Sequence, residues 1–204
     1  MITPFIGFAG NIGSGKTTFT RFISKSQNWI PFYEPVSDNP YLEDFYNDMP
    51  RWSFNLQVYF LHKRFEMHKK MSQMKMGVVQ DRTIFEDKEI FAKNLYEMKK
   101  ISQRDWENYS GLFASMVSFL KKPDLVIYLK ASTDILLKRI QSRNRDFEKN
   151  VDPGYIRTLN VAYDRWVEKE KRYPIIIINT DNFNIYKDQQ SFKKIEKKIL
   201  KTLL

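Results

Sequence analysis

The 204-residue chain has no cysteine. Disulfide bracing and thiolate chemistry are therefore excluded, and the composition suits a reducing compartment. It also lacks any apolar run approaching the roughly 20 residues that a helix needs to cross a bilayer. A glycine turn already begins at residue 10, which leaves no room for a targeting segment ahead of the first apolar stretch, so a cytoplasmic protein is expected. No internal repeat, low-complexity tract or linker interrupts the chain, and residues 1 to 204 are expected to form one domain, a length that one core can support.

Acidic residues are in short supply, 24 against 34 lysines and arginines, for a formal charge of +10. Such an excess suits nucleic acid, a membrane surface or an anionic substrate. The lysines, however, are scattered as pairs at 69 and 70, 99 and 100, 121 and 122, 193 and 194, and 197 and 198, with acidic residues between many of them. A nucleic-acid footprint concentrates on one element. The scatter reads as solvated helix faces plus a pocket for a polyanion, with neither nucleic acid nor membrane as partner.

What the chain does contain is Gly10-Asn11-Ile12-Gly13-Ser14-Gly15-Lys16-Thr17-Thr18, preceded by the apolar run Phe5-Ile6-Gly7-Phe8-Ala9. This is the pattern of a phosphate loop. Its glycines let successive backbone N–H groups converge on phosphate oxygens, Lys16 neutralises the β and γ charge, and the Thr17 hydroxyl is placed to ligate Mg²⁺. Phe19, Phe22 and Ile23 supply the stripe of the helix that must follow, whose N-terminus adds to the anion site.

Further along, Trp29 to Pro35 is aromatic and β-branched and predicts a second strand with Glu34 at its C-terminal end. A capped helix is predicted over 39–47 and a longer one over 51–75, with Phe54, Val58, Leu61, Phe65 and His68 on one face. Val78 to Arg82 predicts a third strand, 84–96 a helix, and 102–120 another that Pro123 stops. Leu125–Leu129 and Ile175–Ile178 are apolar at every position, which suits strands covered on both faces of a parallel sheet. Between them 132–143 and 155–171 predict helices joined by a charged segment at 143–150, and 189–203 predicts a lysine-rich final helix. The fold expected is an α/β three-layer sandwich around a five-stranded parallel sheet, with ligands at the carboxyl ends of the strands.

Candidate chemistry falls at those ends. Asp81 closes a strand where P-loop enzymes place a carboxylate near Mg²⁺; its other reading is a helix N-cap. Arg82 is either a salt-bridge partner or a cation on the transferring phosphoryl group. Glu34 is the candidate general base, since transfer to a hydroxyl needs a carboxylate within reach of it. Arg143 and Arg145 are suited to close over phosphates.

These residues resemble the deoxyribonucleoside kinase family over nearly the whole chain. The loop has the family's Gly-Asn-Ile-Gly-Ser-Gly-Lys form, and Glu34-Pro35-Val36 is similar to the motif whose Glu is the general base. Tyr46, then Trp52-Ser53-Phe54-Asn55-Leu56-Gln57 with Arg64, resembles the nucleoside-binding helix; Asp81-Arg82-Thr83 with Asp87 resembles the acidic-Arg-Ser/Thr motif and its base-reading Asp. Arg143-Asn144-Arg145-Asp146-Phe147-Glu148 is similar to the lid. The resemblance implies a P-loop kinase with ATP or another nucleoside triphosphate as donor, Mg²⁺ as cofactor and a deoxyribonucleoside as acceptor at its 5′-hydroxyl. Tyr46 and Glu148 would meet the sugar 3′-hydroxyl, Gln57, Arg64 and Asp87 the base, Phe91 would stack on it, and Arg139 would join the lid arginines on the donor. Asp81, Asn39-Pro40-Tyr41-Leu42 and Thr83-Ile84-Phe85-Glu86-Asp87 look like the bacterial deoxyadenosine and deoxyguanosine kinases, which implies a purine, deoxyadenosine first. A homodimer through helices 51–75 and 102–120 and feedback inhibition by a deoxynucleoside triphosphate are further implications. Two alternatives stay open: a thymidylate-type nucleotide kinase, which shares the loop and an Asp-Arg motif, and a nucleotide-dependent nucleic-acid-binding protein.

Overall fold

The structure is a computed structural model that describes residues 3–36 and 39–203; residues 1, 2, 37, 38 and 204 of the expected 1–204 domain lie outside the described residues. The strands are β1 (Phe5–Ala9), β2 (Ile30–Phe32), β3 (Val78–Asp81), β4 (Leu125–Lys130) and β5 (Ile175–Asn179). They form one sheet in the order β2-β3-β1-β4-β5, and every pairing is parallel. The helices are α1 (Lys16–Gln27), α2 (Leu42–Asn47), α3 (Met49–Met71), α4 (Ile84–Glu86), a π-helical turn (Asp87–Ala92), α5 (Lys93–Glu97), α6 (Gln103–Val117), α7 (Thr133–Arg143), α8 (Pro153–Lys169) and α9 (Gln189–Leu203).

Helices cover both faces of the sheet, as the three-layer expectation requires. On one side Phe19 and Ile23 of α1 and Phe192 and Ile199 of α9 pack against Ile6, Phe8, Ile127 and Ile176. On the other, residues of α2, α3, α4, α6 and α8 enclose Val126 and Tyr128. The central strands β1 and β4 are buried along their apolar runs.

Several local expectations differ. Strand β2 is shorter than predicted, pairing with β3 only over Ile30–Phe32, so Glu34 stands two residues past its end, outside regular structure. β5 is an edge strand and is not covered on both faces: Ile176 and Ile178 are buried, while Ile177 is 51% exposed. The buried stripe of α3 runs through Ser53, Leu56, Gln57, Leu61, Arg64 and His68, with Phe54, Val58 and Phe65 only half-buried. That stripe carries Gln57 and Arg64 to the site, where Arg64 finds carboxylate partners, so hydrophobicity alone misplaces it. The helix expected over 84–96 is interrupted by the π turn, a local widening that periodicity does not signal. No described helix is long and apolar enough to cross a membrane.

Candidate active site

At the carboxyl end of the sheet a cavity of about 630 Å³ runs from the phosphate loop to the inner face of α3. Three of the strands deliver its chemistry. β1 leads into the loop, β2 into Glu34 and β3 into Asp81 and Arg82.

The loop's shape depends on glycine. At Gly10 (φ 149°) an added Cβ would lie 2.8 Å from the Leu129 carbonyl oxygen, and at Gly13 (φ 84°) 2.9 Å from that of Leu136. No L side chain fits such backbone without strain. Asn11 turns its side chain away from the cavity. Its Nδ2 donates to the Ile156 carbonyl and to Asn160 Oδ1, both at 2.9 Å, and its Oδ1 accepts from the Ile12 N–H. Asn11 thus ties the loop to α8. Lys16 folds back to donate to the carbonyls of Gly10 (2.9 Å) and Asn11 (3.1 Å). Burial, reinforced by Arg82, lowers the Lys16 ammonium to about 8.

Thr17 Oγ1 donates to Asp81 Oδ2 at 2.5 Å, and Asp81 Oδ1 is buried without a partner. Burial pushes the Asp81 carboxyl up, partly opposed by Lys16. A hydroxyl and an orphaned carboxylate oxygen beside a phosphate cradle fit a hard divalent cation that keeps several waters and takes phosphate oxygens. The cap of α4 is Thr83, so Asp81 does not serve as the helix N-cap.

Arg82 sits in the left-handed region (φ 66°), uncommon for a non-glycine residue and held here from several sides. Its Nε lies 2.9 Å from Glu34 Oε1, and its guanidinium lies over the Phe91 ring at 4.0 Å. Arg64 is fully buried in α3 and does not line the cavity; its Nη2 donates to Glu34 Oε1 at 2.6 Å, its Nη1 to the Arg82 carbonyl at 3.0 Å, and its Nε pairs with Asp87. Burial alone would raise Glu34, but Arg82, Arg64 and Lys16 together bring it down to about 2. Burial pushes Asp87 up to about 7 even with Arg64 against it.

At the far end, Gln57 is 2% exposed, lines the cavity, and its Oε1 has no partner. Asp87 and Phe91 line the same end, with Leu56 and Phe60 as apolar walls. Tyr46 lines the cavity too; burial, then the charge of Glu148, raises its phenol. After α7 the charged segment contains a 3₁₀ turn, Asp146–Glu148, in which Glu148 is gripped by Arg143 and lies 3.9 Å from Arg145. Both arginines answer an internal carboxylate. Arg139 lines the cavity but donates to Thr180 at the end of β5.

The structure thus gathers most of the expected residues around one cavity, with Arg64 set behind its wall, the Asn11 side chain turned away from it, and Gly10 and Ser14 of the loop outside its lining. Sequence reasoning missed Glu86, Asn160 and Tyr163. Glu86 was findable, since Thr83 and Glu86 have capping-box spacing; Asn160 and Tyr163, on the buried side of α8, carried no such signal.

A buried unpartnered carboxamide, a flanking acid and an aromatic ring suit a planar heterocycle with polar edges, while the loop suits a polyphosphate. The comparisons agree. The deoxynucleoside kinase family model matches residues 6–204. A deoxyadenosine kinase of Dictyostelium discoideum is 41% identical over 87% of this chain and 73% of its own, and a deoxyadenosine/deoxycytidine kinase of Bacillus subtilis is 35% identical over 93% and 88%. A solved deoxyadenosine kinase from M. mycoides with bound dATP superposes with a TM-score of 0.83 at 30% identity, over 94% of this chain and 98% of that one. Neither the thymidylate kinase reading nor the nucleic-acid reading is favoured by these relatives. The chain belongs to the deoxynucleoside kinase family, and it is a kinase.

Proposed function

We propose that the protein transfers the γ-phosphoryl group of ATP to the 5′-hydroxyl of a purine deoxyribonucleoside, deoxyadenosine foremost, for deoxynucleotide salvage in the cytoplasm. The observation that carries this reading is the single cavity joining the phosphate loop, the Glu34–Arg82 pair and the unpartnered Gln57 carboxamide. A Gln amide accepts from an exocyclic amine while donating to the adjacent ring nitrogen, the pairing that suits adenine. Asp87, backed by Arg64, adds fixed polarity beside it, Phe91 stacks on the base, and Tyr46 and Glu148 hold the 3′-hydroxyl.

The loop from Gly10 to Thr18 binds the donor's phosphates, with Lys16, Arg82, Arg139, Arg143 and Arg145 placed to meet charge on the phosphoryl group. Thr17 and Asp81 would hold Mg²⁺, which when bound neutralises phosphate charge. Glu34 accepts the 5′-hydroxyl proton. In the resting arrangement Glu34 is a weak base, since two guanidiniums share its Oε1. Charge on the transferring phosphoryl competes for Arg82, so the base strengthens when the phosphates are in place.

The same loop and lid can grip a product triphosphate, so a deoxynucleoside triphosphate acts as a feedback inhibitor with its base near Gln57. The M. mycoides enzyme has been solved with dATP and with dCTP. We further propose one domain with residues 143–150 as its lid, and a homodimer in which α3 and α6 meet their counterparts. Leu112 and Phe119, at and just beyond α6, are 41% and 83% exposed.

The test is ADP release from ATP with a panel of nucleosides and nucleoside monophosphates. Deoxyadenosine should give the highest kcat/KM, and dATP should inhibit competitively with it. Turnover confined to monophosphates, or thymidine as the best substrate, would overturn the reading.

A further inference from the structure

Glu86 is 0% exposed and makes no ion pair among the described residues. Its carboxylate instead faces four donors. Oε1 accepts from the Thr83 N–H at 2.8 Å and from the Thr83 hydroxyl at 3.3 Å; Oε2 accepts from the Gly10 N–H at 3.2 Å and from the Tyr163 hydroxyl at 2.7 Å. The Thr83 contacts are an ordinary capping box, which needs one oxygen. The other oxygen is used far from α4.

Each of the two backbone bonds lies one peptide away from a group the reaction requires. The Gly10 N–H belongs to the first residue of the phosphate loop, whose carbonyl accepts from Lys16 Nζ. The Thr83 N–H belongs to the peptide that follows Arg82, and the carbonyl of that same peptide accepts from Arg64. The left-handed Arg82 is therefore clamped on both sides of its outgoing peptide, by Arg64 at the oxygen and by Glu86 at the nitrogen. Thr83 is also seated tightly on β1, since a Cβ at Gly7 would lie 2.4 Å from its methyl group.

We infer that Glu86 is a positioning residue that holds the phosphate loop and Arg82 in mutual register, one oxygen on each backbone, so that the donor phosphate and the Arg82 guanidinium meet the same reacting atoms. This rests on the reading of the loop and Arg82 as phosphoryl-transfer machinery. The two backbone N–H groups sit on different oxygens, so no orientation of a glutamine satisfies both: one of them must face the amide NH₂. The hydroxyls of Thr83 and Tyr163 can rotate to accept, but the backbone groups cannot. A carboxylate is required for reasons of hydrogen-bond parity, independent of side-chain length.

The experiment compares wild type, Glu86→Gln and Tyr163→Phe in steady-state kinetics with deoxyadenosine and a second accepted nucleoside. Glu86→Gln should lower kcat by roughly 10- to 100-fold, the scale of an ångström-level misalignment. The loss should be the same factor for both nucleosides, with nucleoside KM changed less than about threefold, since the base-reading end is untouched. Tyr163→Phe removes a bond to Oε2 but neither backbone contact and should keep turnover within about twofold. If Glu86→Gln keeps normal kcat with only a lower melting temperature, Glu86 is a cap and the inference fails. Should that variant not fold, amide hydrogen exchange on the wild type decides: the Gly10 and Thr83 N–H groups must be strongly protected, and exchange of either at the rate of a surface loop amide overturns the inference. Wild type that releases no ADP with any nucleoside would instead defeat the functional reading beneath it.

Discussion

Arg64 Nη2 lies 2.6 Å from Glu34 Oε1, which joins a residue implied to read the base to the residue implied to take the proton. Because Arg82 reaches the same oxygen at 2.9 Å, one carboxylate atom is shared by two guanidiniums that arrive from α3 and from the end of β3. In the proposed function, base recognition and phosphoryl transfer are therefore mechanically adjacent, and substitutions at one should be read for effects on the other.

Glu34→Gln should lower kcat by roughly 10²- to 10⁴-fold with nucleoside KM nearly unchanged, the signature of a group needed in the transition state. With Glu34 held down at about 2 in the free enzyme, its protonation should not limit kcat/KM anywhere above about pH 3 to 4. A mutant with near-normal kcat would remove Glu34 from the mechanism, and an acid limb near pH 5 that Glu34→Gln abolishes would mean that the two guanidiniums do not hold its carboxyl down.

Lys16→Ala should abolish transfer and weaken donor binding, because a charge lost from a low-dielectric site is not replaced by water. Burial lowers Lys16 to about 8, so the empty site loses this proton as pH rises through that value. In wild type, kcat/KM for ATP should fall on the alkaline side from about pH 8, while kcat, measured with phosphates bound beside the ammonium, should fall only at higher pH. Retained activity in Lys16→Ala would mean that the loop does not hold the donor.

The sheet, the loop and Asp81 at the end of β3 were legible because each rests on a short local rule: continuous apolar runs for buried strands and glycine spacing for the loop. Ile177 escaped because burial at an edge strand depends on what lies above it, which no local pattern records. The stripe of α3 escaped for the opposite reason. Arg64 is buried because Glu34, Asp87 and the Arg82 carbonyl wait for it inside, Gln57 because it faces the cavity, and a hydrophobic pattern counts both as surface. The four donors around Glu86 come from three segments, the farthest of them 77 residues from it, so only its capping-box half was local.

His68 lies 2% exposed at the C-terminal end of α3, edge-on to Phe5 at 5.0 Å, and burial pushes its imidazole down to about 4. A neutral histidine in the fold and an ordinary one in the unfolded chain give a stability contribution that is complete above about pH 6.5 and lost as pH falls toward 4. The loss amounts to about 3 kcal/mol over that window. Asp87, raised to about 7, works in the opposite direction over the same range, so the wild-type profile alone does not isolate His68. The difference in unfolding free energy between wild type and His68→Leu does, because Asp87 is common to both. That difference should move by about 3 kcal/mol against wild type between pH 7 and pH 4. A constant difference would mean that His68 titrates normally in the fold.

Selectivity gives the sharpest test, because Arg64 and Asp87 are not equivalent partners. Asp87→Ala leaves Arg64 still paired with Glu34 at 2.6 Å, whereas Arg64→Met strands Asp87 and also orphans the Arg82 carbonyl. Arg64→Met should therefore be the least stable protein, by about 3 to 5 kcal/mol where Asp87 stays ionised. Asp87 can shed part of that penalty by taking up a proton, since its carboxyl already stands near 7, so the destabilisation should grow as pH rises from 6 to 8. The double variant, Arg64→Met with Asp87→Ala, carries no stranded charge from the pair and should melt above Arg64→Met alone. Its kcat should fall for every substrate, because Arg82 has lost a clamp, so the informative quantity is the ratio of kcat/KM for deoxyadenosine to that for thymidine. That ratio should drop by at least about tenfold, the worth of one polar edge left unread. If the ratio survives in the double variant, the purine is being recognised by Gln57 and the apolar walls alone, and Asp87 and Arg64 have no part in reading it.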